Sequence, residues 1–271
     1  MRIVSKPSDP SWRIPFLNAG KGQGGYYRES LPVQTSQVDQ LPGDLDAIVV
    51  TADLQGRETF ESSRGHPPRL LGEVVPEELE NEILPELGID PQRCGAILAG
   101  DFYTVPTLDR RGGTGDVTAV WQAFGRCFRW VTGVAGNHDT FASDLEHVSQ
   151  MGRNIHFLDD QEVVLSELTI AGIGGIVGDP RRNQRKSDQH FRDCLQRRIH
   201  DELDILILHD GPGVPEQGLK GSPLIRMIVD VLPPPLIIRG HCHWETPLVD
   251  LPCGTQVLNV DSRIVILLRS P

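Results

Sequence analysis

Five short apolar runs, each broken off by a polar cluster, organise this chain. They cover residues 46–52, 94–100, 130–135, 203–208 and 236–239. Continuous apolar runs of this length, bounded by turn residues, read as strands buried on both faces. Residues 116–128 place Val117, Val120, Trp121, Phe124 and Phe128 at helical spacing. Residues 76–87 read as a helix with Pro76 and the acids Glu77, Glu78 and Glu80 in its first turn. Further helices are expected at 187–201 and 223–231. Shorter strands are expected near 154–158, 161–166, 168–173, 246–250, 255–260 and 263–269. Residues 57–72, broken by Gly65, Pro67 and Pro68, and residues 105–115 read as loops. The strand–helix–strand rhythm implies parallel pairing, with the polar clusters on loops at one sheet edge. Two such half-patterns predict two facing sheets with helices outside. Residues 1–42 show no such rhythm. Their Gly-rich stretch from Gly20 to Gly25 has no clear strand before it or helix after it, so it reads as a mobile loop rather than a phosphate cradle. These residues are set apart as an extension expected to cover and narrow a site on a domain spanning 43–271.

The clusters carry the chemistry. They are Asp53-Leu54-Gln55-Gly56, Gly100-Asp101, Gly136-Asn137-His138-Asp139, His209-Asp210 and Gly240-His241-Cys242-His243. Carboxylates and imidazoles converging at strand ends suit divalent transition metals. In this order the clusters resemble the motifs of the calcineurin-like metallophosphoesterases, over residues 46 to 265. The resemblance implies an α/β fold, a four-layer α/β/β/α sandwich of two facing mixed sheets with helices outside. It also implies hydrolysis of a phosphomonoester or phosphodiester by direct attack of metal-activated water. Two divalent ions would serve, Mn²⁺ foremost, with Fe, Zn, Ni or Mg as alternatives. By resemblance Asp101 bridges them, Asp53, Gln55 and His243 complete the first site, and Asn137, His209 and His241 complete the second. His138 would face the substrate, to stabilise phosphoryl charge or protonate the leaving group.

The chain departs from the family pattern at two positions. Gln55 stands where the family carries a His, and an amide oxygen is a harder, weaker ligand than imidazole. The first metal is therefore expected to be held loosely, to be Mg²⁺- or Mn²⁺-like, or to be absent; His66 in the next loop reads as an ordinary residue rather than a substitute ligand. Thr104 stands where a carboxylate commonly orients the motif histidine. Asp139, next in sequence to His138, is an alternative partner. A straight strand through 241–243 would put His241 and His243 on one side and Cys242 on the other. The basic loop with Arg181, Arg182, Arg185 and Lys186 reads either as a solvated face or as a holder of an anionic part of the substrate. The two departures also motivate a rival reading, a catalytically weak or inactive binding protein on the same fold.

Composition narrows the partners. The net charge of -11 over 271 residues disfavours grip on long nucleic acid, which needs many cations against phosphates. A small phosphate ester or nucleotide is expected instead. No apolar stretch reaches membrane-spanning length, and the first residues lack a signal-peptide core, so no membrane partner is expected. The five cysteines are odd in number and form no Cys-x-x-Cys pair. Reduced thiols and a cytoplasmic location are the expectation.

Overall fold

A computed structural model describes residues 1–20, 25–59, 68–110, 112–141 and 152–270. In chain order its first strands are β1 (Trp12–Ala19), β2 (Tyr26–Val38), β3 (Ala47–Ala52), β4 (Cys94–Leu98), β5 (Gly115–Asp116), β6 (Trp130–Gly133), β7 (Asp139–Thr140) and β8 (Ile155–Phe157). There follow β9 (Gln161–Leu165), β10 (Leu168–Ile173), β11 (Ile176–Val177), β12 (Arg185–Lys186), β13 (Ile205–Leu208), β14 (Leu236–Arg239), β15 (Leu248–Asp250), β16 (Gln256–Asn259) and β17 (Arg263–Arg269). The helices are α1 (Leu71–Glu78), α2 (Leu84–Glu86), α3 (Thr118–Cys127), α4 (Asp188–Arg198) and α5 (Pro223–Val229). No helix among the described residues is long and apolar enough to cross a membrane.

The fold is mixed α/β. One sheet has seven strands in the order β1-β2-β17-β3-β4-β6-β8, and a second has six in the order β15-β16-β14-β13-β10-β9. The apolar runs form the parallel centres, β3-β4-β6 in the first sheet and β13-β14 in the second. Alternation along each strand sorts its side chains between two clusters. Ile48, Val50, Ile97 and Val265 of the first sheet share one core with Ile170, Ile207 and Ile238 of the second. The residues between them turn the other way. Val49, Ala96 and Ile266 pack with Val75 of α1 and Trp121 and Phe124 of α3. Ala171, Leu206 and Ile237 pack with Phe191 of α4 and Ile225 of α5.

Three elements differ from the sequence reading. The helix expected from residue 76 starts at Leu71, with Glu73 bonding back to the Leu70 N–H in place of a polar cap (2.9 Å). Pro76 thus lies inside α1, and a widened π turn, Leu79–Ile83, leads into α2. Pro85 in α2 has no N–H to give and its ring crowds the carbonyl a turn earlier; the π turn accommodates both. Strand β8, grouped by sequence with the second half, pairs parallel with β6 in the first sheet.

The third difference concerns residues 1–42. They supply β1 and β2, and β2 runs parallel to β17 from Val33 onward. Pro15 and Pro32 hide these strands from a pattern reading, because a proline breaks a ladder. Here Pro15 sits on the sheet's edge strand, and Pro32 lies just before the pairing with β17 begins. Residues 26–32 therefore pair with β1 alone. Ile14, Phe16, Leu31 and Val33 join the core beneath α1 and α3. Burial of each contributes about 1.5–3 kcal/mol. Their sum rivals the whole stability of a domain, about 5–15 kcal/mol. Truncation of residues 1–38 is therefore expected to leave an unfolded or aggregated chain. Circular dichroism and size exclusion check this; a monomeric truncation with a native melting transition would contradict it. Of the Gly-rich stretch, residues 21–24 lie outside the described residues, as does His66.

Candidate metal centre

The strand ends deliver the polar side chains to one place through strained turns. Asp53, Asp101 and His241 each follow a strand closely and each has positive φ, +56°, +60° and +69°. Such backbone is uncommon outside glycine and gathers at functional sites. Two glycines let the loops touch. A Cβ on Gly136 would come within 2.0 Å of Asp101 Oδ1, and one on Gly240 within 2.3 Å of Asp53 Oδ2.

Asp139 ties two of these loops together. Its Oδ2 accepts from the Asp101 and Gly136 N–H groups at 2.8 Å each, and its Oδ1 from the Phe102 N–H at 2.9 Å. The carboxylate is thus spent on backbone, and it does not orient His138. Burial, with the Asp101 charge beside it, pushes its pKa up to about 6. Thr104 does not orient His138 either. Its buried Oγ1 and His138 Nδ1 both lack a partner among the described residues. The Thr104 loop is held instead by the Arg57 guanidinium, which donates to the Thr104 carbonyl (2.6 Å), the Val105 carbonyl (3.3 Å) and the Pro68 carbonyl.

Asp101 is the hub. Its Oδ1 accepts from the His138 N–H at 2.8 Å, and its Oδ2 lies 3.3 Å from His209 Nε2. His209 is fully buried, with Nδ1 2.8 Å from the Ala99 carbonyl. That carbonyl can only accept, so the proton sits on Nδ1 and Nε2 presents its lone pair. Nε2 has no hydrogen-bond partner of proper geometry, and neither does the buried Oδ1 of Asn137. His241 completes the group, its ring centroid 5.1 Å from that of His209. Ligand atoms of Asp101, His209 and His241 all lie within 4.8 Å of one another. Two lone pairs facing each other in a buried space call for a cation between them, a proton or a metal. Without a metal the proton takes the place. Burial opposes it, but the Asp101 and Asp53 charges raise the His209 pKa to about 10. Burial and the neighbouring His209 then drive His241 down to about 4. Imidazole nitrogens, a carboxylate and an amide oxygen are a donor set that fits a divalent transition metal.

The other expected ligands stand at the margin. Asp53 Oδ2 accepts from the His241 N–H at 2.8 Å; burial and the Asp261 charge hold its pKa well above the ordinary value. Gln55 turns its amide N–H toward Asp101 Oδ2 at 3.4 Å. The strand ends at Arg239 and His241 has positive φ, so 241–243 is not a straight strand. The half-exposed His243 ring contacts Asp261 Oδ1 (3.4 Å) and the Arg263 guanidinium (3.3 Å). Asp53, Gln55, His243 and Asp261 all line a cleft of about 450 Å³. Arg181 and Arg182 are exposed and Arg185 is half-buried; Arg181 is 90% exposed and paired to Asp179 at 2.9 Å. None of the three lines the cleft. Their loop does touch the centre through Asn183, whose amide donates to the Asn137 and Asp139 carbonyls at 3.1 Å each. The sequence reading passed over Asp261, Asn183 and Arg57. Asp261 alone carried a signal, as an acid closing the apolar strand at 255–260.

Replacing Gln55 by His would set an imidazole beside Asp101 in place of the amide. The expected outcome is tighter Mn²⁺ binding, on the order of tenfold, read by calorimetric titration.

No family model matches this chain, and no curated protein does. Solved structures of related shape include the phosphopantetheinyl hydrolase of Mycobacterium tuberculosis. It is 14% identical, with 81% of this chain and 90% of that one covered and a TM-score of 0.48. A protein of unknown function from Aquifex aeolicus is 13% identical, covering 81% and 95%, with a TM-score of 0.36. The sulfate thiohydrolase SoxB of Thermus thermophilus is 12% identical, and this chain spans 53% of its length while 82% of this chain is covered, with a TM-score of 0.41. The chemistry of the centre therefore rests on its own residues.

Proposed function

We propose that this chain is a metal-dependent phosphoesterase, built as the α/β/β/α sandwich of the calcineurin-like metallophosphoesterases. One observation carries the reading. His209 Nε2 and Asp101 Oδ2 face each other 3.3 Å apart, buried, beside His241, and the buried Oδ1 of Asn137 in the neighbouring loop is unsatisfied. Asp101, Asn137, His209 and His241 would hold one divalent ion, with Asp53, Gln55 and His243 offered to a second. When bound, such ions polarise a phosphoryl oxygen and make hydroxide available near neutral pH. The chain's own groups do the rest. His138 is anchored by its backbone N–H on Asp101, and its ring lies beside Gly112, where it is placed to donate to a phosphoryl oxygen or the leaving group. Asp139 keeps the Asp101 and Asn137 loops at fixed separation. Arg181, Arg182 and Arg185, on a loop joined to the centre by Asn183, would meet an anionic part of an incoming substrate. The net charge of -11 favours a small ester or nucleotide over long nucleic acid.

A second reading is a binding protein with one metal and little turnover. It is favoured by Gln55, which gives Asp101 an N–H rather than an imidazole, and by His243, which Asp261 and Arg263 engage. The test is nitrophenol release from a nitrophenyl phosphate and a bis-nitrophenyl phosphate, with Mn²⁺ and with chelator, alongside metal analysis. Chelator-sensitive turnover supports the esterase. Folded, metal-loaded protein inert toward both esters supports the binding protein.

A further inference from the structure

The cleft beside the metal centre has a second wall, made by β1 and β2. Arg13, Phe16, Asn18, Glu29 and Leu31 line the cleft together with Asp53 and Gln55. Its volume of about 450 Å³ lies in the range of small-molecule sites, about 300–1,000 Å³. This wall is fastened to the loop that carries Asp53 and Gln55. The Leu17 N–H donates to the Arg57 carbonyl at 2.8 Å, and the Arg57 N–H returns the bond at 2.9 Å. The Phe16 ring presses on the same loop, where a Cβ on Gly56 would come within 2.3 Å of it. A substrate held by this wall is therefore held at a set distance from the centre.

The wall's polar groups are selective. The buried Asn18 amide donates to Glu29 Oε2 at 2.6 Å, and the Tyr27 hydroxyl donates to the same oxygen at 3.2 Å. Glu29 Oε1 takes no hydrogen bond among the described residues. Neither Glu29 nor Arg13 forms an ion pair among them. One cleft thus offers a positioned carboxylate that can only accept, a guanidinium that can only donate, and the apolar faces of Phe16 and Leu31. Glu29 can take a donor and Arg13 can give to an acceptor along the same cleft. Hydroxyl groups both donate and accept, and they satisfy both.

Building on the phosphoesterase reading, we infer that Glu29 is a specificity-determining residue for a phosphate ester of a polyhydroxylated alcohol, a sugar or nucleoside. The hairpin binds the alcohol, with vicinal hydroxyls on Glu29, while the phosphate reaches the metal centre. A hydrogen bond to a charged group is a strong one, and its loss raises KM roughly tenfold.

The experiment compares native protein with Glu29→Gln and Glu29→Ala, all Mn²⁺-loaded, on ribose 5-phosphate, adenosine 5′-monophosphate and nitrophenyl phosphate. The expected result is a KM for the two sugar esters raised roughly tenfold in Glu29→Ala and less in Glu29→Gln, which keeps an acceptor oxygen. Their kcat stays, and nitrophenyl phosphate kinetics do not change. A stronger effect on the nucleotide than on ribose 5-phosphate would assign the Phe16 face to the base. Equal KM values in all three proteins, with nitrophenyl phosphate turnover intact, overturn the inference. Absence of nitrophenyl phosphate turnover in the native protein defeats the esterase reading instead. Calorimetric binding of ribose 5-phosphate then decides for Glu29: weaker binding in Glu29→Ala supports it, and unchanged binding overturns it.

Discussion

His209→Ala is expected to abolish both metal binding and turnover. The imidazole is fully buried, its Nδ1 is fixed on the Ala99 carbonyl, and its Nε2 faces Asp101. No neighbouring side chain can fill that position, so the loss in kcat/KM should be on the order of 10³-fold, about 4 kcal/mol of transition-state stabilisation. A thermal readout separates ligand from bystander. Ligand at a hundredfold excess over Kd stabilises a native protein by about 2.7 kcal/mol. For a chain of this size that raises Tm by roughly 5–10 °C. The native protein should show this rise on adding Mn²⁺, and the variant should show almost none. The metal-free variant should also melt below the metal-free native protein, because Asp101 then stands buried without its charged partner. An undiminished Mn²⁺-dependent rise in the variant would remove His209 from the ligand set.

Asp139→Ala is expected to cost the fold more than any other change near the centre. Three backbone N–H groups lose their acceptor, those of Asp101, Phe102 and Gly136. Each buried donor left unsatisfied costs about 1–3 kcal/mol. Part of this is offset, because burial already disfavours the Asp139 charge. A net loss of roughly 3–5 kcal/mol follows, a large share of a typical domain's stability. Asp139→Asn keeps one acceptor oxygen but turns an amide toward the remaining donors, so its loss should be about half as large. Urea unfolding of the three metal-free proteins measures the series. Equal midpoints for native and Ala variant would show that the two loops hold together without Asp139.

What could be read from the sequence follows from how each element is buried. Strands β3, β4, β6, β13 and β14 are buried on both faces, so each is a continuous apolar run, and the residue after each run could be read as a strand-end group. Asp53, Asp101, Asn137, His209 and His241 were visible in this way. The hairpin was not. The first five residues of β2 are exposed, and two prolines interrupt the pair. Its place depends on β17, more than two hundred residues away, which no local pattern encodes. The course of the chain at 241–243 was hidden for a similar reason: the turn at His241 is a backbone choice that alternation cannot foresee. Asp139 shows the limit of motif reading. Its neighbour His138 marked the motif, yet its acceptors' work is on backbone N–H groups, which sequence does not display.

The position of β17 also bears on how the molecule comes into being. Residues 263–269 lie between β2 and β3, so the sheet's two portions are joined by a segment made after the other described strands of that sheet. During synthesis the hairpin and the β3-β4-β6-β8 portion would emerge early and wait, each with an open strand edge, until residue 269 clears the ribosome. Unpaired edges of this kind invite association between nascent chains. Holding chaperones and slow early growth at low temperature should therefore raise the yield of folded protein. Loss of β17 should leave the hairpin held to the β3 portion only by loop contacts, not by a continuous sheet.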